Sequence, residues 1–299
     1  MSELRLGIMG LSEGNGHPYS WAAILNGYNS EYMKGCPFPV IYDYLEQQNF
    51  PEARLPGARV THIWTQDREI SEDISRASRI DHVVDNYIDM IGEVDGVLLA
   101  RDDAENHLEM ARPFLEAGIP VYIDKPVALS RKDLSSLFDL QKYPGQIFTC
   151  SALQFSTELI LTKENRESLG EIKKIHGVTP KSWDKYAVHI IEPILRMINY
   201  NDEIIDFKKT HKKSNGVVTN ICTFDSGVQL ILEAYGKEVT PIKINIEASK
   251  TDMDLIFTDS FSAFKEALRF FILGVNEKRD IIERSFIEKT VELIERGRV

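Results

Sequence analysis

The chain has 299 residues, a hydrophobic fraction of 43% and a formal net charge of -11 at pH 7. This length suits two domains, and the hydrophobic fraction is ordinary for a globular protein with a core. The acidic balance argues against a nucleic-acid partner, because phosphates attract clustered Lys and Arg. It is compatible with a small anionic substrate in a local basic pocket.

The three cysteines, Cys36, Cys150 and Cys222, are widely spaced and form no CxxC pair. This pattern predicts neither a metal site nor a disulfide framework, and a reducing cytoplasm fits it best. The first residues lead straight into a short apolar strand, unlike a signal peptide. Because no apolar stretch reaches about 18 residues, no membrane span is expected.

Residues 4–10 predict the first strand of a doubly wound sheet, and the glycine-rich segment 11–19 (LSEGNGHPY) follows. A dinucleotide fold needs glycine here, so that the backbone can approach a pyrophosphate. The fingerprint G-x-G-x-x-G is absent, and Glu13 adds negative charge near the expected phosphate position. A glycine-rich turn without function explains the loop equally well. The next helix is predicted to begin near Tyr19.

An insertion at residues 28–57, rich in Tyr, Pro and Asn, separates this loop from the second predicted strand at 58–65. One short helix is predicted around residues 42–48. A surface elaboration of the first domain is the simpler interpretation. The aromatic residues also fit a flap over the active site or an interface with another subunit.

The second strand ends at Gln66-Asp67-Arg68. Asp67 is a natural partner for a ribose diol, which favours NAD, whereas Arg68 could meet a 2′-phosphate, which favours NADP. We therefore expect NAD or NADP, with NAD slightly favoured. A strand at 39–44 with Asp43 as the acid is less consistent, because residues 69–77 predict a helix directly after Asp67.

The most informative segment is 121–126 (VYIDKP), where an apolar β-branched run ends in an acid, a base and a proline. The run predicts a buried parallel strand, and a lysine at its carboxyl end lies where open α/β sheets hold ligands. The apolar run 94–100 and a helix at 106–118 precede it, which completes a strand–helix–strand unit. On residue type alone, a surface lysine that closes a strand is the simpler interpretation.

This unit resembles the glucose–fructose oxidoreductase and inositol dehydrogenase (Gfo/Idh/MocA) family, in which Glu-Lys-Pro carries the lysine on the nicotinamide side. The resemblance assigns that role to Lys125, with Asp124 as a shorter acid. Ala100 and His107 match the family's segment against the nicotinamide. Arg101 does not match; it could form an ion pair, here expected at the surface, or reach an anionic substrate group.

The same resemblance implies further cofactor contacts from the glycine-rich loop. Ser12 takes the position of the family's second glycine, and the loop is one residue longer before His17. The implied contacts in this loop are Gly10, Ser12, Gly14 and Gly16.

From residue 170 onward, six strand-like runs joined by short turns predict an open antiparallel sheet of five or six strands. The runs are 171–178, 203–211, 216–224, 228–235, 241–248 and 253–257. Residues 228–232 carry apolar side chains on both faces. The resemblance implies that a second subunit covers the open face, so we expect a homodimer or homotetramer.

A helix predicted over 183–193 carries the second chemical signal. Compared with the family pattern Asp-x-x-x-His-x-x-Asp, His189 takes the imidazole position and Glu192 that of the last acid. Lys185 stands in place of the first acid, and Asp184 is displaced by one residue. Lysine and histidine one turn apart should depress each other's pKa. A lone helix histidine is often structural, but the presence of Lys125 favours a catalytic role.

The predicted fold is α/β: a Rossmann-type doubly wound parallel sheet at 1–130, plus an α+β domain with an open antiparallel sheet at 131–299. Its C-terminal helix is expected to return to the first domain. We expect a cytoplasmic NAD(P)-dependent oxidoreductase that moves hydride between nicotinamide and a carbinol carbon of a sugar or sugar derivative.

In this interpretation, Lys125 holds the substrate oxygen and His189 is the general base. Asp184 and Lys185 are expected to contact the substrate, and no metal, nucleic acid or membrane partner is expected. The alternative is a non-catalytic sensor that binds nucleotide or sugar on the same fold. The altered glycine loop and the displaced acid support that alternative.

Overall fold

The computed structural model describes residues 3–212 and 214–298. The chain forms two compact units. Unit 1 comprises the residues up to 127 together with 135–149 and 264–282, and unit 2 comprises 128–134, 150–263 and the residues from 283 onward. The boundary predicted after residue 130 therefore lies inside a segment of unit 2, and two segments assigned to the second domain belong to unit 1.

Unit 1 is built on a six-stranded sheet in which every neighbouring pair is parallel. Its strands are β1 (Leu4–Met9), β2 (Ala58–Trp64), β3 (His82–Val83), β4 (Gly96–Leu99), β5 (Val121–Ile123) and β6 (Ile147–Phe148). Their order is β3-β2-β1-β4-β5-β6. The order reverses between β1 and β4, which is where doubly wound sheets bind ligands at the carboxyl ends of their strands.

The helices that begin in unit 1 are α1 (His17–Asn26), α2 (Ser30–Met33), α3 (Pro39–Glu46), α4 (Arg68–Ser78) and α5 (His107–Glu116). Helix α6 (Arg131–Phe138) ends in this unit. Helix α1 begins at His17 rather than near Tyr19, because Pro18 fits the first turn of a helix. The insertion contains two helices, α2 and α3, where one was predicted.

The insertion packs against α1 within unit 1. Phe38 and Ile41 lie so close to the glycine loop that a Cβ on Gly16 would lie 2.7 Å and 2.6 Å from their side chains. The N–H of Leu55 donates to the carbonyl of Ile24 at 2.9 Å. These contacts make the insertion part of the packing of unit 1. Tyr32 and Val40 on its surface remain 50% and 64% exposed.

Unit 2 contains a second six-stranded sheet in the order β12-β11-β7-β10-β9-β8. Its strands are β7 (Ile172–Thr179), β8 (Ile204–Lys212), β9 (Val217–Phe224), β10 (Gln229–Ala234), β11 (Lys243–Ala248) and β12 (Met253–Ile256). The sheet is mixed, because β7 and β10 pair in parallel. The prediction of a wholly antiparallel sheet is wrong here, since the chain after β7 passes through helices before the β8–β10 meander, and such a connection permits parallel pairing.

The unit 2 helices are α7 (Lys163–Leu169), α8 (Trp183–Tyr186), α9 (Val188–Leu195) and α11 (Arg284–Gly297). The helix predicted over 183–193 is thus divided at Ala187. Helix α9 lies on one face of the sheet, where a Cβ on Gly177 would lie 2.7 Å from Ile194. Helix α10 (Ser260–Glu277) lies in unit 1 from residue 264 onward. The segment that returns to unit 1 therefore includes most of α10, whereas the final helix belongs to unit 2.

The opposite face of the second sheet carries mixed side chains. Ile221 and Ile231 are half-buried on this face, and His176 pairs with Glu233 at 2.8 Å beside them. Among the described helices, none is both long and apolar enough to cross a membrane.

Candidate functional site

The glycine loop after β1 is shaped by two glycines in the left-handed region. Gly10 has φ +152°, and a Cβ there would lie 2.5 Å from the carbonyl oxygen of Ala100. The N–H of Asn15 donates to the carbonyl of Ser12 at 3.1 Å, which closes a turn with Gly14 (φ +76°) at its third position. A type II turn needs a positive φ at that position. The glycines therefore serve the local backbone shape and the close approach of β1 to β4.

The same loop offers donors to an anion. Within the described residues, the exposed N–H groups of Glu13 and Gly14 have no protein acceptor. No atom lies within 4 Å of a Cβ built on Gly14, so a bulky group can approach the backbone there. These features fit a pyrophosphate, although the exposed carboxylate of Glu13 opposes one. The loop residues are thus compatible with a dinucleotide.

A hydrogen-bonded pair fastens the loop to the segment after β4. Ser12 Oγ donates to Asp102 Oδ1 at 2.6 Å and accepts the N–H of Asp102 at 3.0 Å. Asp102 Oδ2 lies 3.6 Å from the ammonium of Lys125, which is only 5% exposed. The serine in the family's second glycine position therefore holds the carboxylate that faces the lysine.

Asp124 is a fully buried carboxylate that joins three elements. Its Oδ2 lies 2.6 Å from His17 Nδ1 and accepts Asn15 Nδ2 at 2.8 Å, and its Oδ1 accepts the N–H of Lys125 at 2.7 Å. Burial raises the pKa of Asp124, but His17 and Lys125 outweigh it and hold this pKa below its ordinary value. The shorter acid thus gains a partner from the glycine loop and remains charged.

Buried ion pairs and hydrogen bonds stabilise the segment after β4. Arg101 binds Asp103 through both Nε, at 2.8 Å, and a terminal nitrogen. The ion pair expected for Arg101 is formed, but it is buried rather than at the surface, since Arg101 is 8% exposed. Burial raises the pKa of Asp103, and hydrogen bonds from Arg101 and Asn106 bring it below its ordinary value. His107 is fully buried, with its two ring nitrogens 3.0 Å and 2.8 Å from main-chain carbonyls.

The residues after β2 are occupied in local contacts. Asp67 caps α4 by accepting the N–H of Glu69 at 2.8 Å. Arg68 pairs with Glu72 and Asp85 at the surface. The side-chain amide of Gln66 binds both the N–H and the carbonyl of Leu11, at 2.9 Å and 2.7 Å. This link between the end of β2 and the glycine loop was not among the contacts predicted from the sequence.

In unit 2, His189 lies in the first turn of α9 and is 8% exposed. Its Nδ1 lies 2.8 Å from Ser151 Oγ, and this oxygen also accepts the N–H of Leu153 at 3.3 Å. The ring of Tyr186 meets the imidazole edge-on at 5.1 Å. The contacts of Ser151 and Tyr186 fix the orientation of the imidazole.

Glu192, three residues after His189, is a buried acid that forms no ion pair with the residues that the structure describes. Its Oε2 accepts the N–H of Ser151 at 2.7 Å and Gln154 Nε2 at 2.6 Å. Arg196 donates to Gln154 rather than to the carboxylate. Burial raises the pKa of Glu192 to about 8, although these donors and the charge of Arg196 act in the opposite direction. The acid is therefore largely neutral at pH 7.

The two residues at the family's first acid position are Asp184 and Lys185. Asp184 accepts Arg298 Nε at 3.2 Å near the surface. Lys185 is half-buried in α8. Both residues lie on α8, whereas His189 lies on α9.

Sequence reasoning did not identify several of these partners as site residues. Asn15, His17, Asp102, Ser151 and Gln154 were absent from the predicted contacts. The bond between Ser151 and His189 joins residues that are 38 positions apart in the chain. The bond between Asn15 and Asp124 joins residues that are 109 positions apart. The only sequence signal was the position of polar residues directly after β1, β4 and β6.

Residues 44–151 match the sequence profile described as the oxidoreductase family with an NAD-binding Rossmann fold, Gfo/Idh/MocA. The match begins after the glycine loop, where the sequence departs most from the family fingerprint. It includes the segment that ends in Lys125. None of the curated protein sequences compared with the chain matches it.

Solved structures share the fold over nearly the whole chain. Myo-inositol 2-dehydrogenase from Lactobacillus plantarum is 14% identical with a TM-score of 0.75, covering 98% of this chain and 96% of its own. UDP-N-acetylglucosamine 3-dehydrogenase from Acidithiobacillus ferrooxidans is 13% identical with a TM-score of 0.70, covering 100% and 97%. Myo-inositol dehydrogenase from Lactobacillus casei, in complex with NAD(H) and myo-inositol, is 11% identical with a TM-score of 0.71, covering 97% and 91%.

At these identities the solved structures establish the fold, and the sequence match over residues 44–151 carries the likeness to the family. The resemblance drawn from the residues around Lys125 is thereby confirmed. Residues 44–151, which include Lys125, match the Gfo/Idh/MocA oxidoreductase family, and the chain as a whole shares its fold with inositol dehydrogenases.

Proposed function

We propose that the protein is an NAD(P)-dependent dehydrogenase that oxidises or forms a carbinol on a sugar or sugar derivative. The observation that carries this proposal is the placement of Lys125. It is a buried lysine at the carboxyl end of β5, connected through Asp102 and Ser12 to the glycine loop at the switch point of the sheet. Open α/β sheets bind their ligands at this position.

The dinucleotide would be held by the backbone of Glu13 and Gly14, with Asp67 beside the ribose. When bound, nicotinamide supplies the hydride chemistry, while the protein supplies position and electrostatics. Lys125 would hold the substrate oxygen and stabilise negative charge that develops on it. Asp102 lies 3.6 Å from the ammonium and forms an ion pair with it.

His189 would take the hydroxyl proton as general base. For Nε2 to accept that proton, Nδ1 must carry the ring's own proton and donate it to Ser151 Oγ, which lies 2.8 Å away. Glu192, held largely neutral by burial, adds no negative charge one helical turn from the imidazole. Asp184 and Lys185 remain proposed substrate contacts.

We favour NAD over NADP. Arg68, the cation that would receive a 2′-phosphate, is already paired with Glu72 and Asp85. Asp67 and Glu69 add negative charge on either side of Arg68 in the sequence, and this charge would repel a phosphate. The inositol and sugar-nucleotide dehydrogenases with this fold support a polyol or sugar substrate. A cytoplasmic homodimer or homotetramer, assembled through the open face of the second sheet, completes the proposal.

The test combines cofactor titration by fluorescence with a polyol and sugar panel followed at 340 nm. Lys125→Ala is expected to lower kcat/KM about 100- to 1,000-fold, because it removes the group that stabilises the developing charge. Lys34→Ala, at an exposed lysine in the insertion, is the matched control and should match the wild type. Near wild-type turnover in Lys125→Ala would contradict the mechanism.

A non-catalytic sensor is the second candidate. It is favoured by Lys185 in place of the family's first acid and by the exposed carboxylate of Glu13 in the glycine loop. Tight cofactor or sugar binding without turnover over the whole panel would support this candidate over the dehydrogenase.

A further inference from the structure

His17, the first residue of α1, is held on three sides within unit 1. Its Nδ1 lies 2.6 Å from Asp124 Oδ2, its ring stacks on Trp21 at 4.8 Å, and Phe264 meets it edge-on at 5.0 Å. Trp21 and Phe264 are uncharged, so Asp124 is the charged group in direct contact with the ring among these neighbours. The side chain keeps 15% of its surface exposed.

The second ring nitrogen is available for binding. Among the described residues, Nε2 of His17 has no hydrogen-bond partner. The atom is also not buried, because it is absent from the set of buried polar atoms without a partner. It therefore reaches the surface. When the carboxylate of Asp124 accepts from Nδ1, the protonated form of the ring presents one further N–H, at Nε2.

The usual phosphate donors at the start of this helix are already used. The N–H of His17 donates to Asn15 Oδ1 at 2.8 Å, Pro18 has no N–H, and that of Tyr19 donates to the carbonyl of Gly16 at 3.1 Å. Positions 17 to 19 therefore have no unused N–H for the pyrophosphate, which the start of a helix normally binds. The exposed N–H groups of Glu13 and Gly14 remain, next to a carboxylate that opposes an anion.

On the basis of the proposed function, we propose that His17 is a phosphate-binding residue of the dinucleotide site. Its imidazolium, held in place by Asp124, donates Nε2–H to a pyrophosphate oxygen. It supplies the positive charge that the capped helix end lacks and offsets Glu13. Asp124 then links this contact to Lys125, because the same carboxylate accepts the N–H of the lysine at 2.7 Å.

The experiment measures binding rather than turnover. NAD is titrated into the wild type and His17→Gln by fluorescence, and inorganic pyrophosphate is then used as a competitor. His17→Gln is expected to weaken both NAD and pyrophosphate about 10- to 100-fold, as expected for loss of a hydrogen bond between charged groups. His62→Gln, at a half-buried histidine on β2 of the same unit, is the matched control and should bind like the wild type.

A second measurement needs no variant at position 17. In wild-type protein labelled with 15N-histidine, the Nε2 resonance of His17 should shift when either NAD or pyrophosphate is added. If the wild type binds NAD and His17→Gln binds it equally well, or if Nε2 does not respond, the inference is wrong while the proposed function stands. A wild-type protein that binds neither NAD nor NADP overturns the proposed function together with the inference.

Discussion

Asp124 in unit 1 and Glu192 in unit 2 are both buried carboxyl groups that accept several hydrogen bonds, yet their pKa values move in opposite directions. Asp124 has an imidazole at 2.6 Å and the Lys125 ammonium nearby, and its pKa is lowered. Glu192 receives its hydrogen bonds from a main-chain N–H and an amide, and burial raises its pKa to about 8. Hydrogen bonds alone do not keep a buried acid charged; a close cation does.

The largest expected effect comes from Asp124→Asn. Removal of the carboxylate leaves His17 without its charged partner in a buried pair, so the free energy of unfolding at pH 7 should fall by about 3–5 kcal/mol. Urea unfolding of the wild type and the variant measures this difference. The difference should shrink at low pH, because a lowered pKa stabilises the fold only while the carboxylate is ionised, and that contribution is lost as the pH falls through the folded-state value. A variant as stable as the wild type would show that His17 does not act as a charged partner.

Glu192→Gln is the opposite case and reproduces the neutral form of the acid. The raised pKa of Glu192 means that its folded environment favours the protonated form. The stability that this preference gives the fold is complete below about pH 4.5 and is lost as the pH rises through about 8. Between pH 5 and pH 8, the wild type should lose about 3–4 kcal/mol of stability relative to the variant. Unfolding curves measured across this range test the prediction. Parallel pH dependences in the two proteins would contradict a neutral Glu192.

Ser151→Ala has the smallest expected effect on stability, about 1 kcal/mol, because it removes one hydrogen bond to a buried ring. Its effect on turnover should be larger, about 10-fold in kcat with little change in KM, since the imidazole loses the group that fixes its tautomer. Ser156→Ala, at another buried serine of unit 2 whose hydroxyl binds Glu158, is the control. Equal loss of kcat in both variants would assign Ser151 a structural role only.

The strands were the most predictable part of this molecule. Alternating burial in β9 and β10 follows directly from alternating side chains in the sequence, so their bounds lie within one residue of the prediction. The parallel pairing of β7 and β10 was not predictable in this way, because a strand's hydrophobic pattern carries no information about the direction of its partner.

In the candidate site, too, local features were predictable from the sequence and long-range contacts were not. Lys125 was found from local sequence, because an apolar strand ending in a lysine is a local pattern. The partners of that lysine and of His189 depend on residues brought together by the fold. His17 meets Asp124 across 107 positions and Ser12 meets Asp102 across 90, and no short motif records either pair.

The contact of Phe38 and Ile41 with Gly16 has a practical consequence for engineering this chain. Any side chain larger than hydrogen at position 16 would push these two residues outward, and removal of the insertion would uncover the glycine. The loop and the insertion therefore constitute a single exchangeable module: a chimaera that receives one of them from a relative has to receive the other as well.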